Sequence, residues 1–142
     1  MARAAAAGAG EAAHLVRCDD AGPQDLLAAR AYLFACPENL ATMSGAMKEF
    51  FDRCYYPVLG RIEGRAYATA VAAGSDGEGA TRQIDRIAIG WRLRRVADAL
   101  IVNFDAQTPE RILAAKALGA YGRARCTDLG AALAHGLAMG IF

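Results

Sequence analysis

The sequence predicts an α/β fold with a mostly parallel sheet. Three observations carry that prediction: short apolar runs alternate with amphipathic segments, the runs end in turn residues, and one of them is apolar throughout, as a strand buried on both faces must be. The 142 residues, 55% of them hydrophobic, suit a single domain spanning 1–142.

The elements follow in order. The Ala-rich start, MARAAAAGAGEAAHLV, lacks the sustained apolar core of a secretory signal and reads as helix. HLVRC (14–18) is apolar and closed by Asp19, Asp20 and Gly22, which predicts a strand and its turn. Pro23 opens a short helical turn, PQDLLAA. AYLFAC (31–36) is the continuous apolar run, stopped by Pro37. A helix over 45–55 follows, with Ala46, Met47, Phe50, Phe51 and Cys54 on one side, the pairs Lys48–Asp52 and Glu49–Arg53 on the other, and Ser44 as its cap. YATAVAA (67–73) is the next strand. After GSDGEG, helical spacing runs from Ala80 through Ile84, Ile87, Ala88, Trp91 and Val96, with Gly90 as a bend or end. ALIVNF (99–104) is the final strand. Thr108-Pro109-Glu110 opens a last helical region with a break expected near Tyr121-Gly122.

Sixteen basic residues against fifteen acidic ones leave a formal charge of +1, which supplies no field for nucleic acid or an anionic membrane. Cys18, Cys36, Cys54 and Cys126 form no C-x-x-C pair, so neither zinc nor a disulfide scaffold is indicated, and a reducing, cytoplasmic setting is expected. No apolar run reaches the roughly 18–20 residues that cross a bilayer.

In open parallel sheets ligands bind beyond the carboxyl ends of the strands. Residues 37–44 and 74–79 follow apolar runs and mix glycine or proline with small polar residues, so both loops are expected to face one crevice. Neither is strongly basic, and neither has the glycines and lysine of a P-loop. A flat, neutral ring edged with amide-like groups suits them: apolar cover from Leu40 or Met43, and polar contact from main-chain N–H groups with Asn39 or Ser44.

PENLATMSGAMKEFFDRCYY resembles the second flavin loop and following helix of the flavodoxin-like NAD(P)H-dependent FMN reductases and flavodoxin family proteins. AAGSDGEGATRQIDRIAIGWRL is similar to their third loop and helix, and AHGLAMGIF to their C-terminal helix, so the resemblance runs from about Ala12 to Phe142. It implies a flavodoxin-like three-layer sandwich of strand order 2-1-3-4-5. It implies that Pro37, Glu38, Asn39, Leu40, Met43, Ser44 and Gly45 border the isoalloxazine of FMN, and that Gly74, Ser75, Asp76, Gly77, Glu78 and Gly79 close over its other edge. Catalysis would belong to the cofactor, with NAD(P)H as electron donor, a quinone, flavin or similar small molecule as acceptor, and no catalytic side chain. A homodimer is a further family expectation.

The resemblance fails at the start. Family members open with a strand and a Ser/Thr/Gly loop around the FMN phosphate, whereas here Met1 falls inside the first helix and the first strand is missing. The favoured expectation is a recorded start that lies too late, predicting upstream codons for that strand and loop. The competing expectations are that HLVRC and AYLFAC pair directly, or that the chain is a cofactor-free remnant. An electron-transfer flavodoxin and a non-catalytic module therefore stand beside the oxidoreductase as alternatives.

Other residues have plainer readings. Cys36 reads as a small buried hydrophobe, Tyr55 and Tyr56 as core, and Arg82, Arg86, Arg92, Arg94 and Arg95 as exposed helix face. His14 and His135 are structural, and Asp76 and Glu78 fit a solvated turn as well as a ligand contact.

Overall fold

A computed structural model describes residues 1–142. Helix α1 (Ala2–Ala9) continues into a 3-10 turn (Gly10–Ala12), and α2 (Pro23–Ala28) precedes strand β1 (Ala31–Asn39). A two-residue strand β2 (Thr42–Met43) leads into α3 (Gly45–Val58). Then come β3 (Ala66–Ala73), α4 (Glu78–Gly90), β4 (Arg94–Arg95), β5 (Leu100–Asn103), α5 (Pro109–Leu113) and α6 (Ala120–Ala138).

The sheet is mostly parallel. β1 pairs with β3 from Ala31↔Ala66 to Pro37↔Ala72, and β5 pairs with β3 on the other side from Ala70↔Leu100 to Ala73↔Asn103. β4 adds two parallel pairs at the start of β3, and β2 folds back antiparallel on the end of β1. β3 is thus the central strand, which explains why YATAVAA carries no charged residue.

Alternation along β1 divides the interior. Tyr32, Phe34 and Cys36 point into the larger cluster, 19 buried residues built with Met47, Phe51, Cys54 and Val58 of α3 and Ile84 and Ala88 of α4. Leu33 and Ala35 point the other way, onto a small cluster of Ala5, Ala70, Leu100 and Cys126 beneath α1 and α6. Trp91, just past α4, is fully buried, stacks on Tyr55 at 5.7 Å, and donates its indole N–H to the Tyr55 carbonyl at 3.0 Å.

Three expectations change, and one left open is resolved. HLVRC is not a strand, and so does not pair with AYLFAC; Val16 and Cys18 pack on the core, but the segment lies outside any ladder. A short apolar run becomes a strand only where a neighbouring backbone receives its N–H and C=O groups. Gly90, left open as a bend or an end, is the end: the helix is Glu78–Gly90, its spacing does not continue to Val96, and Arg92 takes a left-handed φ of 55° as the chain reverses to bring Arg94 beside Ala66. The last helical region breaks at residues 114–119, ahead of Tyr121-Gly122, leaving α5 a single short turn. Of the two tyrosines expected in the core, Tyr55 is partly buried but Tyr56 is exposed. No helix is long and apolar enough to cross a membrane.

Candidate functional site

Parallel pairing puts the carboxyl ends of β1, β3 and β5 on one edge of the sheet, and three loops leave from there. The first is a hairpin tip. Asn39 and Thr42 pair across Leu40 and Ala41, whose φ values of 52° and 61° are both left-handed. A two-residue connection needs this geometry to follow strand twist, and asparagine and glycine usually supply it. Leucine and alanine adopt it here at a cost in strain, and the Leu40 side chain stands 99% exposed at the tip.

What holds the strained tip is α4. The Glu38 carboxylate accepts from the Gly77 N–H at 2.7 Å and the Ala80 N–H at 3.2 Å, supplying from a distant strand the cap that Gly77, having no side chain, cannot. The negative charge also meets the positive end of the helix dipole. The Met43 N–H donates to Gln83 Oε1 at 3.0 Å. At Gly79 a Cβ would lie 2.0 Å from the Ala41 carbonyl oxygen, so only glycine admits the hairpin this close.

The second loop, 74–77, is tied to the third. Ala106 N–H donates to the Gly74 carbonyl at 2.7 Å, the Asn103 amide donates to the Ser75 carbonyl, and Asn103 Oδ1 accepts from the Asp105 N–H at 2.8 Å. The N–H groups of Ser75 and Asp76 donate to nothing within the chain.

Among the residues expected at the ring, the structure therefore joins Glu38 with Gly77 and Gly79 through the cap. Pro37, Asn39, Leu40, Ser75, Asp76 and Glu78 are exposed at the same edge, with Gly74 between them and β3. Met43 is buried in the main core, Ser44 caps α3 by accepting from the Met47 N–H at 3.4 Å, and Gly45 opens that helix with empty space at its Cβ position. Asn103, Asp105, Ala106 and Gln83 complete the arrangement without having been singled out from sequence. The signal for the first three was available, because ALIVNF is also followed by a loop at a strand's carboxyl end. Cys36 lies beneath the site in the core, and burial pushes its thiol pKa up.

Some features suit an isoalloxazine: loops of small residues gathered at one edge of the sheet, an exposed apolar side chain on the first, and free main-chain donors on the second. They are less suited to its phosphate, since Glu38 already occupies the start of α4 and Ser44 that of α3.

The architecture is that of a flavodoxin-like protein. An archaeal flavodoxin superposes with a TM-score of 0.74 at 16% identity, covering 96% of this chain and 90% of that one. A flavodoxin, WrbA-like protein from Agrobacterium tumefaciens gives 0.69 at 14% identity over 96% and 87%. An NADPH-quinone reductase from P. pentosaceus gives 0.54 at 15% identity over 79% and 71%. Residues 21–106 match the NADPH-dependent FMN reductase family, and the chain belongs to that family. No curated protein matches it.

Proposed function

We propose that this protein is an FMN-dependent oxidoreductase that takes reducing equivalents from NAD(P)H and passes them to a quinone, a flavin or a similar small acceptor. The observation that carries this reading is that three loops, tied together by Glu38, Gly74 and Asn103, bring exposed Leu40 and the free amides of Ser75 and Asp76 to one sheet edge, inside the segment that matches the reductase family. The fold shared with the P. pentosaceus NADPH-quinone reductase supports it.

When bound, FMN supplies the hydride-accepting chemistry. The chain's own part is to hold and cover the ring. Leu40 gives apolar cover, Asn39 and the amides of Ser75 and Asp76 address the polar edge, and Glu38 fixes the spacing between the two loops by binding α4. A cofactor-free module is the second reading, favoured by the occupied starts of α3 and α4.

Fluorescence titration of FMN and riboflavin into the purified chain, followed by NADPH oxidation with FMN present, tests both readings. Saturable flavin binding with steady NADPH turnover is expected. Flavin binding with reduction only through a separate reductase would indicate an electron carrier. A folded chain that binds neither flavin would indicate the module.

A further inference from the structure

The sheet ends at β5. This strand pairs with β3 on one side, and no strand lies on its other side. The Phe104 N–H donates to the Ala73 carbonyl at 2.9 Å. Backbone groups in a parallel ladder alternate in direction, so Leu100 and Val102 also turn theirs toward β3 while Ile101 and Asn103 turn theirs outward. No other backbone segment of the chain bonds those outward N–H and C=O groups.

An open cavity of ≈ 410 Å³ follows this edge. Its lining takes in residues 101 to 104 in succession, although Ile101 packs toward the cluster under α3 and α4 and Val102 toward that under α1 and α6. Successive strand residues face opposite sides, so a space that touches all four runs along the strand's edge. The opposite wall is the start of α6, where Tyr121 and Arg125 stand. The Arg125 guanidinium sits over the Tyr121 ring at 5.7 Å and has no carboxylate partner, and no acidic residue lines the cavity.

Sheet edges are commonly blunted by lysine, by proline or by being short. LIVN has neither residue, and its four positions leave two outward-facing ones, enough for a short added segment but not for a growing sheet. Alternating donors and acceptors along a strand are answered by another extended backbone, the apolar walls by its side chains, and an unpaired arginine by a carboxylate. We propose that this cavity binds the C-terminal end of an extended peptide of another protein. The peptide adds a strand to β5 through Ile101 and Asn103, lays small apolar side chains against Val102 and Tyr121, and sets its terminal carboxylate on Arg125.

Fluorescence anisotropy of the full chain with fluorescein-labelled Gly-Ser-Val-Thr-Val, ending in a free carboxylate, tests the proposal. Saturation is expected with a Kd of about 1–100 μM. Methylating the peptide's amide nitrogens one at a time should weaken binding at alternate residues only, the signature of strand pairing. Converting the terminal carboxylate to an amide and replacing Arg125→Gln should each weaken binding on the order of tenfold, with little further loss when combined. Arg125 is exposed, and circular dichroism would verify that the variant is folded. Hydrogen exchange at the Ile101 and Asn103 amides should slow when peptide is added. No saturation by about 1 mM peptide, losses on methylation that do not alternate, or unchanged exchange at both amides would overturn the proposal. So would protection of both amides that rises with the concentration of the chain alone, which would give the edge to a second copy.

Discussion

At the scale of single residues, two buried groups set measurable limits. Thr69 lies in the middle of β3 with its hydroxyl buried and without a hydrogen-bond partner. An unsatisfied buried hydroxyl is a net cost, so Thr69→Val, nearly the same in shape, should raise stability by about 1 kcal/mol in urea titration. Tyr67 is buried and donates to Asp85 Oδ1 at 2.9 Å, while Arg95 holds the other carboxylate oxygen at 2.9 Å. Burial, and then the hydrogen bond to Asp85, push the tyrosine pKa well above its ordinary value. Below about pH 10 the phenol is protonated whether the chain is folded or not, and its contribution is complete. Above that the unfolded chain loses the proton first, so stability should fall as pH rises further. The fall should be shallower in Tyr67→Phe when denaturation midpoints are compared across that range.

At the scale of elements, the hairpin of β1 and β2 and the pairing of α1 with α6 each depend on a close approach. Ala41 holds a left-handed conformation that glycine adopts freely. Ala41→Gly should therefore stabilise the fold by about 0.5–1 kcal/mol, read by thermal or urea denaturation. Between α1 and α6 the helices touch backbone to backbone: a Cβ at Gly130 would lie 1.9 Å from the Ala5 carbonyl oxygen, and one at Gly8 1.9 Å from that of Thr127. Gly130→Ala suits an isolated helix but must push α1 away. It should cost about 1–3 kcal/mol and loosen α1 and α6 while β3 keeps its protection, a pattern that hydrogen exchange resolves by segment.

At the scale of the whole molecule, the two sides of the sheet are unequal. Nineteen residues, most of the aromatics among them, cluster on the side of α3 and α4, against four on the side of α1 and α6. Apolar burial dominates folding free energy, so local opening should begin on the thinner side. In native-state hydrogen exchange the amides of α1 and α6 should exchange before those of β3 and α4; uniform protection across both sides would contradict this. The three loops at the carboxyl edge rest mainly on the thicker side through Glu38 and Gln83, which places the candidate site on the better-packed part of the fold.

Elements whose signals are local were legible in the amino-acid order alone. The apolar runs became β1, β3 and β5, the spacing and Ser44 cap marked α3, and Thr108-Pro109 marked α5. That order also placed the loops of the candidate site, because position at a strand's carboxyl end follows from the order of elements alone. Tertiary structure decided what depends on partners remote in the chain. HLVRC has apolar residues suited to a strand but no neighbouring ladder, Glu38 caps a helix that begins forty residues later, and the Leu40–Ala41 turn persists because α4 grips the residues around it. Periodicity and propensity report how a segment behaves with its near neighbours. Hydrogen bonds between segments are fixed only when the sheet brings them together.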